Sequence, residues 1–231
     1  MKKYKLDDLV GYNNREINAV YWQVGDESSD TIVCTFPGLS YPSEAPITFY
    51  QKLFFFDLGL DWVAFDYRYN ENEEFMSLPD SEKGNYLKKE QMIFAEYINN
   101  KFKDKKIIFL GKSLGTFVIS EIMNQLDISN FKGKIKIILQ TPTDTSFNIV
   151  KFIEKHKILT LVIIGNKDGQ FYSKYLDSDL SKSEYVISKE IDGAGHLFED
   201  YTHDLEKSIN NLYKPIRFIE EYIKEDHVTN R

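Results

Sequence analysis

The chain has 231 residues, with 29 Lys+Arg against 36 Asp+Glu and a formal net charge of −7. Its 42% apolar and 28% charged residues are an ordinary globular mixture, too rich in hydrophobe for a disordered chain. A pI near 5.2 argues against a nucleic-acid binder, the one cysteine (Cys34) excludes an intrachain disulfide or a multi-cysteine zinc site, and no apolar run approaches the roughly 20 residues that cross a bilayer. The four histidines, at 156, 196, 203 and 227, show no paired metal-ligand spacing. The N-terminus is basic but lacks the apolar stretch of a signal peptide. The expectation is one cytoplasmic domain over residues 1–231, with no nucleic-acid or membrane partner.

Short β-rich runs alternate with helical patterns. Residues 16–24 read as a strand closed by Gly25, and Thr31–Phe36 as a second stopped by Pro37-Gly38. A helix over 48–58 ends at Gly59, and 62–65 is a short apolar strand. Residues 70–85 are polar and interrupted by Pro79 and Gly84, so they read as a loop. A helix follows over 86–101, then a buried-type strand over 105–110 and a helix over 114–126. Strands are expected over 134–140, 159–164 and 184–191, with one helix around 147–155. In the last helix Leu205, Ile209, Leu212, Ile216, Ile219 and Ile223 alternate steps of four and three, and Pro215 is expected to kink it. Residues 4–6 are a weak further strand. This order predicts an α/β fold: a mostly parallel central sheet of seven or eight strands, helices on both faces, and no dividing linker.

Chemistry is expected in loops at the C-terminal ends of such strands. The run over 105–110 leads directly into Gly111-Lys112-Ser113-Leu114-Gly115, a G-x-S-x-G at a strand-to-helix junction. A serine in so tight a turn projects its hydroxyl into the cleft, and the flanking glycines let strand and helix approach. Lys112 is expected to point away from the pocket. A serine hydroxyl needs a base, and His196, in Gly193-Ala194-Gly195-His196 after the last strand, is the best candidate. His203 suits a capping or surface role, His156 lies among lysines, and His227 is near the end. The imidazole needs a carboxylate partner. Asp168, in Gly165-Asn166-Lys167-Asp168, ranks first, then Asp144, then Asp66. Two amides are needed for an oxyanion. Leu114 supplies one, and Leu39, after Pro37-Gly38, the other.

Together these motifs resemble the α/β-hydrolase superfamily, whose order of nucleophile, acid and histidine matches Ser113, Asp168, His196. The resemblance runs from about residue 16 to the last helix. It implies a Ser-His-Asp triad, an oxyanion hole at the Leu39 and Leu114 amides, and no cofactor or metal. One departure is Pro37-Gly38, where many members carry His-Gly. The serine also sets the chain apart from members with an aspartate nucleophile and from dienelactone hydrolases with a cysteine nucleophile. Family lids follow the strand corresponding to 134–140. Here the interval 141–158 has room for one helix, so no sizeable lid domain is expected. Ser40, Tyr41, Tyr67 and Phe198 are expected to line the substrate cleft. Arg68 could meet a substrate carboxylate, although an ion pair suits it better. The reading is a serine hydrolase, an esterase or thioesterase, acting on a small acyl substrate. Amidase, peptidase and acyltransferase chemistry would use the same residues, and a non-catalytic binding module on this fold is the other alternative.

Overall fold

The structure is a computed structural model, and it describes residues 1–6, 8–131 and 135–225. Eight strands form one sheet: β1 (Lys2–Lys5), β2 (Asn18–Gln23), β3 (Thr31–Phe36), β4 (Asp61–Asp66), β5 (Lys106–Lys112), β6 (Ile135–Gln140), β7 (Thr160–Gly165) and β8 (Val186–Ile191). Their spatial order is β1-β2-β4-β3-β5-β6-β7-β8. β1 and β2 pair antiparallel with each other and β2 antiparallel with β4, whereas β4 through β8 are parallel. The expected sheet is therefore present, and the weak run at 4–6 corresponds to β1.

Strands β3 to β7 are buried along nearly their whole length because both faces of the sheet are covered there, whereas the edge strand β8 carries Ser188, Lys189 and Glu190 and is buried only at Ile191. On one face α3 (Asp80–Lys101), α4 (Leu114–Gln125) and α5 (Val150–His156) bury a core in which Phe36, Phe65, Phe94 and Phe109 cluster. On the other face α1 (Pro46–Asp57) and α8 (Leu205–Glu225) cover Val33, Trp62, Ile108 and Ile138. α8 runs as one helix with Pro215 inside it. Its apolar stripe is buried only toward the C-terminal half: Ile219 is sealed, whereas Leu205 is 75% and Ile209 57% exposed.

The segment 70–85 is not a loop. It holds a 3-10 turn (Tyr69–Glu71), the short helix α2 (Glu73–Ser77) and the first turns of α3. Pro79 is the residue before the first helical position of α3, where a missing N–H costs nothing. Gly84 lies within α3 facing open space. The Asn72 side chain caps α2 by accepting from the Phe75 N–H at 3.1 Å. Two further short helices, α6 (Gly169–Asp177) and α7 (Asp179–Lys182), fill the β7–β8 connection, which the sequence left unassigned. The β6–β7 connection holds a 3-10 helix (Asp144–Ile149) running into α5, and nothing of lid size. Among the described residues, no helix is long and apolar enough to cross a membrane.

Candidate active site

Ser113 sits between β5 and α4 with φ 52° and ψ −117°. A non-glycine residue at positive φ is strained and must be held by its surroundings. Here the Ser113 N–H donates to the Gln140 carbonyl at 2.9 Å. Its carbonyl accepts from the Thr116 N–H at 2.8 Å and the Thr116 hydroxyl at 2.7 Å. Glycine is required close by. A Cβ on Gly115 would stand 1.9 Å from the Phe36 carbonyl oxygen, so only glycine lets the first turn of α4 close on the end of β3. A Cβ on Gly38 would stand 3.5 Å from that of Ser113, which shows how near the β3–α1 loop comes to the serine.

His196 lies in the loop between β8 and α8. Its Nε2 is 2.9 Å from Ser113 Oγ, and its Nδ1 is 2.8 and 2.9 Å from the two Asp168 carboxylate oxygens. A carboxylate only accepts, so Nδ1 carries the proton. Nε2 is then free to accept from the serine hydroxyl. Asp168 is buried and the imidazole about one-third exposed. The acid and histidine loops are laced together: Asn166 Nδ2 donates to Asp192, the Gly193 N–H donates to the Asn166 side chain, and the Lys167 N–H donates to the Ala194 carbonyl. Phe171, from α6, packs its ring 5.4 Å from that of His196.

The other acids lie elsewhere. Asp144 accepts from Lys174 at 2.6 Å at the surface. Asp66 pairs with Arg68 at 3.0 Å, and burial raises its pKa. Arg68 also reaches Glu71 at 3.5 Å, so its guanidinium is already matched by two carboxylates. His203 is exposed, and its N–H donates to the Asp200 carbonyl. His156 packs on Phe152 at the end of α5. His227 lies outside the described residues.

Leu114 follows Ser113 as the first residue of α4, and Leu39 follows Gly38 in the loop that comes near the serine; among the described residues neither amide has a protein acceptor. Ser40 and Tyr41, with Gly38, Leu39, Asp66 and Arg68, line a cavity of about 100 Å³ at the β3–α1 loop. Tyr67 and Phe198 are placed differently from expectation. At 1% and 0% exposure, their rings are packed in the interior instead of presented to a ligand. The Tyr67 hydroxyl donates to the Pro37 carbonyl, supporting the β3–α1 loop from beneath. Phe198 lies under the Lys112 ammonium, 5.2 Å from it. Both residues follow strands, as pocket residues do, but sequence position does not say which way a loop ring turns. Phe171 was missed because its helix was not assigned. Lys112, expected to point away from the pocket, is turned inward among Thr141, His196, Tyr41 and Phe198, because its ammonium finds acceptors there.

A family profile described as "Alpha/beta hydrolase of unknown function (DUF900)" matches residues 10–208. The chain belongs to this α/β-hydrolase family. Solved structures with the same architecture include dienelactone hydrolase from Anabaena variabilis (TM-score 0.65, 13% identity, covering 95% of this chain and 97% of that one). A serine hydrolase without a lid from Xanthomonas campestris gives TM-score 0.63 at 14% identity, with 96% and 94% covered. A hyperthermophilic esterase from Pyrobaculum calidifontis gives 0.64 at 14%, with 96% and 86% covered. At such identities these likenesses establish the fold. A search of curated proteins finds no match.

Proposed function

We propose that this α/β hydrolase cleaves a small carboxylic ester or thioester through an acyl-enzyme intermediate. The observation that carries the reading is the unbroken line from Ser113 Oγ through the His196 ring to Asp168, at 2.9 and 2.8 Å. In this mechanism His196 Nε2 takes the hydroxyl proton as Ser113 Oγ bonds to the acyl carbon. Asp168 keeps the imidazole in the tautomer that can accept, and stabilises the imidazolium that results. The carbonyl oxygen becomes an oxyanion between the Leu39 and Leu114 amides, at the positive end of α4. The imidazolium then protonates the departing alcohol or thiol. Water, deprotonated by the same histidine, releases the acid and restores the serine.

The leaving group must lie on the His196 side to receive that proton. The acyl group then extends across the serine toward the ends of β3 and β4, where the cavity of about 100 Å³ lies. Its walls include Asp66, Arg68, Asn70 and Glu71, so it suits a short acyl group better than a long apolar chain. The short β6–β7 connection provides no apolar cover for a long chain.

A series of p-nitrophenyl esters from acetyl to octanoyl tests the reading. The expected result is a maximum in kcat/KM at two to four carbons and a fall of at least about tenfold by eight. A rate that climbs steadily with chain length would contradict a small acyl site. Saturable binding of these esters without turnover would favour the binding-module alternative.

A further inference from the structure

Lys112 is 3% exposed, although it sits directly before Ser113 in the strand-to-helix turn. Its Nζ donates to the His196 carbonyl oxygen at 2.6 Å and to Thr141 Oγ1 at 2.8 Å. It lies 5.5 Å from the ring centre of Tyr41 and 5.2 Å from that of Phe198. One ammonium thus touches the loops after β3, β6 and β8 while belonging to the last residue of β5. Among the described residues, no other group hydrogen-bonds the main chain of His196. The other main-chain ties of that loop hold its neighbours, among them Gly195 N–H to the Glu199 carbonyl, Phe198 N–H to the Gly195 carbonyl, Leu197 N–H to the Glu199 side chain and Lys167 N–H to the Ala194 carbonyl.

From this geometry, and on the reading of Ser113 and His196 given above, we propose that Lys112 is a positioning residue that latches the His196 loop to the serine turn and keeps Nε2 within reach of Ser113 Oγ. The argument is one of cost. A buried ammonium is expensive, and a site gains nothing in stability by keeping one where an apolar side chain of equal volume would pack. Burial pushes the Lys112 ammonium down to about 7, opposed by the Asp168 and Glu199 carboxylates. What lysine supplies and an apolar residue cannot is a donor to the His196 carbonyl. Without it that carbonyl must turn toward water, and the imidazole turns with it. A displacement of about 1 Å at a reacting group is enough for a rate loss of about 100-fold.

The test compares Lys112→Met, Lys112→Gln and Lys112→Arg with wild type. The readouts are melting temperature, kcat and KM on p-nitrophenyl butyrate, and Ser113 labelling by a fluorophosphonate. Methionine keeps the length and loses the donor, glutamine falls short of the carbonyl, and arginine keeps charge and donors between two rings. The expected result is that Met and Gln variants melt no lower than wild type yet lose about 100-fold in kcat, with KM within about twofold. Arginine restores at least about a tenth of wild-type turnover. Should the Met variant fail to fold, the Gln variant carries the same expectation. Wild type labelled at Ser113 together with a folded Met or Gln variant within about threefold of its kcat overturns the latch. So does a loss of rate that tracks a fall in melting temperature. Wild type that is not labelled at Ser113 overturns the site reading itself, which is a separate failure.

Discussion

Three carboxylates, Asp66, Asp144 and Asp168, end strands where a triad acid could stand, and their partners separate them. Asp168 faces His196 with both oxygens, whereas Asp144 is tied to Lys174 and Asp66 to Arg68. Asp168→Asn should therefore lower kcat by about 10⁴-fold, because an amide can hold the wrong tautomer. Asp144→Asn should leave kcat within about twofold, since a surface ion pair is worth little. Equal losses in the two variants, measured on one ester, would contradict this assignment. That Ser113, His196 and Asp168 come together was legible from residues alone, because a glycine-flanked serine after a β run and histidine and aspartate in the loops after later strands are local patterns. Lys112, Tyr67 and Phe198 were not. Whether a loop side chain is turned inward depends on what packs above it, and the sequence reports only its position.

Elements show where local signals mislead. Strands β3 and β7 stand within a residue of their expected bounds, whereas β5 runs two residues past its expected end, through Gly111 and Lys112 up to the serine. In segment 70–85, Pro79 and Gly84 signal breaks that the structure does not have. Pro79 stands just outside α3, and Gly84 is carried by the helix around it, at a cost. With nothing within 4 Å of a Cβ there, Gly84→Ala should stabilise the protein by about 0.5–1 kcal/mol. Urea unfolding would check this, and a destabilised variant would mean that the glycine is needed for packing or backbone shape. The β3–α1 loop offers a second test. Tyr67 braces the Pro37 carbonyl beside the proposed oxyanion amide of Leu39. Tyr67→Phe removes only the hydroxyl, and is expected to lower kcat by about tenfold with KM little changed. Unchanged kcat would mean that the loop holds its shape without that bond.

The sheet order is a property of the whole chain, and it explains both what was readable and what was not. Burial on both faces gives β3 to β7 their apolar runs, so their existence and parallel class were visible, while β8, an edge strand with Ser188, Lys189 and Glu190, was visible by its β-branched ends and the glycine after it. β1 is an exposed, lysine-rich edge strand, and its existence was visible only weakly. Lys112 gives the whole fold a pH signature. Its ordinary value of 10.5 falls to about 7 on burial, with Asp168, Glu199 and Tyr41 around it. Between those values the unfolded chain binds the extra proton, so stability should rise with pH there, by up to about 1.4 kcal/mol per unit. Lys112→Met removes this contribution. Urea titrations from pH 7 to 10 should show wild type gaining on the variant as pH rises. Parallel curves would contradict a buried, shifted lysine.

The central claim is that Ser113 is an activated nucleophile. The most direct measurement is intact-mass detection of a fluorophosphonate adduct on the purified protein, with Ser113→Ala as the control. The account predicts one adduct at Ser113 on wild type and none on the variant. A folded wild-type protein that takes up no probe, or a variant labelled as fast as wild type, would contradict it.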